Sequence, residues 1–121
     1  MRVFMTKVFA RFARSERMSD DRLREAVDRA DEGLIDAALG GGLIKQRVAR
    51  AGQGRSAGFR TVIAFRHGDR AVFLFGFAKS ARDNVGQSDL ERLRKLAAIY
   101  LSASIEDLEA WCKDGELKEV I

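Results

Sequence analysis

The sequence predicts an α+β fold, in which a small antiparallel sheet packs against an N-terminal helical hairpin and C-terminal helices. Two segments with helical periodicity come first, three strand-like segments follow, and two more helical segments close the chain. The strand-like segments are separated by glycine-rich or tight polar stretches, the punctuation of a meander. A chain of 121 residues and 13.5 kDa is one domain's worth, here 1–121. Area scaling gives roughly 6,500 Å² folded against roughly 19,600 Å² unfolded, so a real core forms without metals or disulfides.

The elements follow in order. Arg2–Met5 reads as a short strand. Thr6 is placed to cap a helix whose Val8, Phe9, Phe12 and Ala13 share a face, leaving Arg11 and Arg14 away from it. Ser19 is a good N-cap for a second helix, because Asp20 and Asp21 favour the first turn through the helix dipole. Leu23, Ala26, Val27 and Ala30 continue it at helical spacing, and Gly33 is its expected stop. Leu34–Leu39 is either a turn of helix or a loop, and Gly40–Gly42 is a flexible turn into a strand. That glycine triple lacks P-loop spacing and a GKS or GKT ending, so it is no phosphate cradle.

Leu43–Ala49 alternates, with Ile44, Gln46 and Val48 on one side and Lys45 and Arg47 on the other. Arg50–Gly58 is a polar, glycine-rich hairpin loop. Phe59–Arg66 and Ala71–Ala78 are the next strands, joined by a tight turn over Arg66–Arg70. The last strand is almost continuously apolar, so it belongs at the centre of the sheet with both faces covered. Ser88-Asp-Leu-Glu91 reads as a capping box for a helix carrying Leu90, Leu93, Ala97, Tyr100 and Leu101. Ser104-Ile-Glu-Asp107 opens a short helix that Gly115 ends, and Glu116–Ile121 is a tail or a short edge strand.

Composition excludes several function classes. One cysteine, Cys112, rules out a disulfide framework and a cysteine-clustered zinc site, and one histidine, His67, rules out a two-histidine metal pair. His67 falls in the 66–70 turn and reads as an exposed turn residue. No apolar run reaches 18 residues, and the N-terminus lacks the unbroken apolar stretch of a secretory signal, so no membrane and a cytoplasmic location are expected. The net charge of +4 hides a strong asymmetry. Residues 43–82 carry nine basic groups and one acid, Asp69, whereas 18–42 and 83–121 are acidic. A cationic centre of this kind points to a polyanion, most simply nucleic acid, or else to a solvated basic face.

Within that centre, period-two geometry sets Lys45 and Arg47 on one strand face about 6.6 Å apart. Arg60 starts the next strand, Lys79 ends the third, and Arg82 follows. An antiparallel meander brings these five toward one concave surface. Arginine forks fit non-bridging phosphate oxygens and stabilise the charge of a pentacovalent transition state. A lysine crowded by like charges gives up its proton more readily and can then take one from a ribose 2′-OH. The composition therefore fits a metal-independent, RNA-directed nuclease with no cofactor.

Gly41-Gly-Leu-Ile-Lys-Gln-Arg-Val48, Gly58-Phe-Arg-Thr-Val-Ile63 and Phe73-Leu-Phe-Gly-Phe-Ala-Lys-Ser-Ala-Arg-Asp-Asn84 together resemble the RelE/ParE superfamily of type II toxin–antitoxin toxins, closest to the RelE-like, HigB-type branch. The resemblance runs over nearly the whole chain. It implies ribosome-dependent cleavage of mRNA, inhibition of translation and neutralisation by a cognate antitoxin, with DNA met only through that antitoxin. By motif, Lys45, Arg47, Arg60, Lys79 and Arg82 match the family's functional basic residues. One position departs: the tyrosine that well-studied RelE-type toxins carry after the last strand is replaced by Val85, Gly86 and Gln87. Tyr100, the sole tyrosine, sits on a helix face as a core residue, which leaves Phe59 or Phe77 as candidates for base stacking. A ParE-like gyrase poison of the same fold and a basic RNA-binding module are the alternative functions.

Overall fold

The computed structural model describes residues 1–49, 58–78 and 85–121. The chain runs β1 (Arg2–Thr6), α1 (Lys7–Ser15), α2 (Asp20–Asp31), β2 (Ala37–Gly40), β3 (Leu43–Val48), β4 (Phe59–Arg66), β5 (Arg70–Ala78), α3 (Gln87–Ser102), α4 (Ile105–Lys113) and β6 (Leu117–Glu119). The six strands form one sheet in the order β2-β3-β4-β5-β1-β6. The meander expected from the sequence is its β3-β4-β5 centre. The sheet is mixed, because β1 runs parallel to β5 with Arg2 opposite Arg70, while β6 pairs antiparallel with β1.

Local chemistry accounts for most boundaries. Thr6 caps α1, its hydroxyl accepting from the Phe9 amide at 3.2 Å. Ser19 caps α2 through the Arg22 amide, and Ser104 caps α4 through the Asp107 amide. Gly33 and Gly115 end their helices with φ of +92° and +82°, a backbone region that glycine enters without a Cβ clash. The start of α3 differs from expectation. Its N-cap is Gly86 rather than Ser88, and no side chain caps it, so the Ser88–Glu91 pattern lies inside the first turn. The undecided stretch at 34–39 leads into β2, an edge strand held on β3 with Ala37 opposite Lys45.

Two apolar clusters cover the two faces of the sheet. Val3, Met5, Ile44, Val48, Ile63 and Phe73 pack with Phe9, Ala13, Leu23 and Val27 of α1 and α2. On the other face Phe4, Leu43, Val62, Ala64, Val72 and Leu74 pack with Leu93, Ala97 and Leu108 of α3 and α4. β5 is therefore buried on both faces, as its unbroken apolar run requires. Edge strand β6 is fixed by Arg2, whose guanidinium donates twice to Glu119 at 2.9 Å and once to Glu109 at 2.9 Å. That hydrogen bonding, by itself enough to outweigh burial, holds the Glu119 carboxyl below its usual range.

One irregularity sets the layout of the far end. The β4–β5 register shifts at Val62/Ile63: Val62 faces Phe75 and Ile63 faces Phe73, so Leu74 is an extra residue. Leu74 and Phe75 consequently both join the α3 face. Gly76 turns instead toward α1, where a Cβ would lie 2.5 Å from Cε2 of Phe12 and 3.0 Å from Cε1 of Phe9. Glycine is thus what lets α1 close on the strand. Gly76→Ala is expected to destabilise the protein by about 1–3 kcal/mol through overpacking, read as a lower urea midpoint at unchanged slope. A midpoint equal to wild type would show that Phe12 moves aside at no cost.

Candidate active site

β3 supplies the first two cations. Its buried side is fixed by Gln46, fully inaccessible, whose amide oxygen accepts from the Asp36 amide at 2.7 Å and whose nitrogen donates to the Ala26 carbonyl at 2.9 Å. With Gln46 locked inward, alternation turns Lys45 and Arg47 to the α3 face. Arg47 is paired across the strands with Arg60, and Lys45 with Val62. Arg60 is in turn paired with Phe77, and Val62 with Phe75. Paired residues share a face, so Arg47, Arg60 and Phe77 form one row across β3, β4 and β5. Lys45 stands one row behind Arg47.

Two arginines directly opposite each other repel, and such a pair is destabilising unless something answers the charge. Arg47 is answered. β2 begins beside Lys45, and Asp36, just before it, takes over the edge of β3. Its carboxylate accepts from the Arg47 amide at 2.7 Å and from the Arg47 guanidinium at 3.2 Å. Arg29 of α2 reaches the same place, with its guanidinium 3.8 Å from the Asp36 carboxylate and donating to the Arg47 carbonyl. Burial pushes the Asp36 carboxyl up, but the Arg47 hydrogen bonds and the charges of Arg47 and Arg29 outweigh it and hold it below its ordinary value.

Among the described residues no acid answers Arg60. It is half-buried, and its Nη1 is buried with no hydrogen-bond partner among the described residues. A guanidinium nitrogen withdrawn from water and lacking an acceptor is costly, and such an orphan calls for a partner, whether a water, an ion or a ligand. The row thus presents one compensated and one uncompensated arginine on a single face beside an aromatic ring. An anion with several oxygens, such as a phosphodiester, satisfies Arg60 in the fork geometry that guanidinium favours.

The remaining candidates separate. Lys79 and Arg82 lie outside the described residues, although Ala78, immediately before Lys79, is paired with Phe59, the neighbour of Arg60. Phe59 is not a stacking candidate: it is buried on the opposite face, edge-on to Phe12 at 5.7 Å. Phe77 shares the face of Arg60 but is also buried, with its ring centroid 6.0 Å from that of the partly exposed Phe75. Tyr100 packs edge-on to Trp111 at 5.8 Å, and burial raises its pKa. At the positions where the family tyrosine was sought, Val85 packs into the core, Gly86 caps α3 and Gln87 begins it. Arg66 and Arg70 of the same basic block lie at the other end of the hairpin. Arg70 donates to the carbonyls of Tyr100 at 3.0 Å and Ala103 at 2.5 Å, and Arg66 donates to that of Leu101. Those two arginines cap the C-terminus of α3. His67 is exposed in its turn, 2.8 Å from Asp31. Among the described residues, no group of three His, Cys, Asp or Glu is placed to hold a metal ion.

Asp36 was not singled out by sequence. Its signal is indirect, an acid just upstream of a strand edge whose partner strand is too short to reach Arg47. Because its carboxyl titrates below 3.8 in the folded protein, the unfolded chain binds the proton first as pH falls. The stability from Asp36 is complete above its unfolded pKa and is lost as pH drops through the folded one. Wild type should therefore exceed Asp36→Asn in urea stability at neutral pH, with the gap closing below about pH 4. A gap that stays constant down to pH 3 would show that the carboxylate charge plays no part.

Among the described residues no helix is long and apolar enough to cross a membrane. No curated protein matches the chain closely enough to stand as a relative. A family model does match: that of the RelE toxin of the RelE / RelB toxin-antitoxin system, over residues 1–120. With the match spanning 1–120, and with an α+β architecture of six mixed strands and four helices in keeping with a RelE-like fold, the chain belongs to the RelE toxin family and is the toxin of a toxin–antitoxin pair whose partner is an antitoxin.

Proposed function

We propose that this toxin is an RNA-binding mRNA endonuclease that acts in the cytoplasm on translating ribosomes and so inhibits translation. The observation that carries this reading is the orphaned Nη1 of Arg60, set in a row with Arg47 and Phe77 on one sheet face. In the proposed reaction a ribose 2′-oxygen attacks the adjacent phosphorus and the bond to the 5′-oxygen breaks. The products are a 2′,3′-cyclic phosphate and a 5′-hydroxyl end. Arg60 binds the non-bridging oxygens and gains strength as negative charge builds on them. Lys45, on the same face, takes the 2′ proton or returns one to the leaving oxygen. Lys79 and Arg82 are carried into the proposal by motif alone, and the partly exposed ring of Phe75 offers an apolar surface against which a base can lie. Arg47, held by Asp36, positions the backbone of the message rather than meeting the reacting phosphate.

The test is induction of the toxin in bacterial cells, with mRNA 5′ ends mapped genome-wide, beside single-turnover cleavage on programmed ribosomes. Wild type should cut translated messages, and Arg60→Ala should lower the cleavage rate by about 10²-fold or more. Since Nη1 of Arg60 has no acceptor to lose, the variant should melt within about 0.5 kcal/mol of wild type or above it. Double-strand DNA breaks with intact mRNA would replace this reading with a gyrase poison of the same fold, the alternative that the missing family tyrosine favours. Wild-type cleavage by Arg60→Ala would remove Arg60 from the site.

A further inference from the structure

A sizeable, mostly apolar concave feature among the described residues lies away from the Arg60 row. It is a groove of about 510 Å³ between the N-terminal turn of α1 and one side of α3, floored by Leu74 and Phe75 of β5. Its walls are Val8 on one side and Leu93 and Leu96 on the other. The apolar surface runs out into solvent, with Val8 61% exposed, Leu96 38% and Ile99, one turn beyond Leu96, 52%. The groove exists because β1 stops at Thr6 while β5 continues to Ala78, leaving a step that α1 and α3 border without filling. Lys7 and Arg11 line the α1 wall, and Arg14 and Lys118 border the adjoining hollow. These four cations are exposed and have no ion-pair partner among the described residues. Two acids, Asp89 and Glu116, line the groove as well, and Asp89 is bonded by Arg92.

We infer that this groove is the docking site of the antitoxin, and that its occupant is an amphipathic segment with apolar residues on the floor and carboxylates toward Lys7, Arg11, Arg14 and Lys118. An apolar floor with exposed Val8, Leu96 and Ile99 gives nothing to a phosphodiester but suits a helix or extended peptide laid into it. The cationic wall selects an acidic flank. A second copy of the toxin is the poorer fit. A two-fold interface must be complementary to itself, and a surface in which Lys7, Arg11, Arg14 and Lys118 have no paired acids among the described residues offers a second copy little to answer its own cations. Phe75 is shared between the groove floor and the face carrying Phe77 and Arg60, about 7 Å along the strand. A segment seated in the groove can therefore extend an acidic end toward the Arg60 row. This last step rests on the proposed function, whereas docking itself does not.

The experiment uses the full-length toxin and its cognate antitoxin, purified together. Amide exchange of the complex against free toxin should show protection over 6–11, 74–75 and 89–100. The double variant Val8→Glu/Leu96→Glu should fold by circular dichroism and remain toxic, yet bind the antitoxin at least 100-fold more weakly and no longer be rescued by it. Lys7→Glu/Arg11→Glu should weaken binding and reduce its salt dependence. Arg60→Ala should still bind through the groove, so a toxin without nuclease activity would leave docking testable. Full-strength antitoxin binding by Val8→Glu/Leu96→Glu would overturn the inference, as would protection confined to other elements. So would a free toxin that is dimeric in sedimentation and becomes monomeric with Leu96→Glu, or a variant that loses ribosome binding while keeping the antitoxin.

Discussion

A buried amide on β3 governs the cationic edge of the sheet. Gln46 has no exposure, and it holds α2 through the Ala26 carbonyl and the 32–36 connection through the Leu34 carbonyl and the Asp36 amide. An amide placed in an apolar layer must satisfy its donors and acceptor or cost several kcal/mol, about 2–7 by transfer measures. That demand fixes which way β3 faces. It also fixes where the chain before β2 lies, and hence where the Asp36 carboxylate meets Arg47. The polar edge is thus a consequence of one satisfied group in the core, which places the Asp36 carboxylate that in turn holds Arg47.

The basic block of the sequence is divided by the hairpin that carries it. At the turn end, Arg66 and Arg70 are spent on carbonyls at the end of α3 and on Asp69, which makes them part of the scaffold. At the open end, Arg47 is compensated, whereas Arg60 Nη1 has no partner among the described residues. Net charge over a stretch of chain therefore overstates the charge available to a ligand. What distinguishes Arg60 among the described residues is a buried guanidinium nitrogen without an acceptor, a local cost of the kind concentrated at functional sites.

The strands were legible where one face is polar. Lys45 and Arg47 alternate with apolar residues and Gln46, so the facing of β3 follows from the sequence, and the helix caps at Thr6, Ser19 and Ser104 follow from side chains that accept backbone N–H groups. The edge strand β2 was not legible, because Ala37–Gly40 has neither β-branched residues nor alternation and is a strand only through its pairing with β3. Ser88 misled for a related reason. A serine followed by an acid three residues on describes the first turn of α3 as well as its cap, and here Gly86 already begins the helix. In the site, the Arg47–Arg60 pairing needed the register of a hairpin whose loop length says little about alignment. Asp36 needed knowledge of where β2 begins.

The extra residue at Leu74 divides β5 into two halves that answer to different neighbours. Before it, Ala71 and Phe73 belong to the α1–α2 core while Val72 belongs to the α3 core. After it, the parity is reversed, so that Phe75 and Phe77 stand beside Val62 and Arg60. Sequence drift in the two halves is accordingly uncoupled. Changes at 75 and 77 alter the groove floor and the Arg60 row without disturbing the Phe73 layer, so these two surfaces can diversify on a strand whose other half stays fixed by the core. The residue that permits this, Leu74, has no polar atom in its side chain, and its effect on the Arg60 row comes through the register alone.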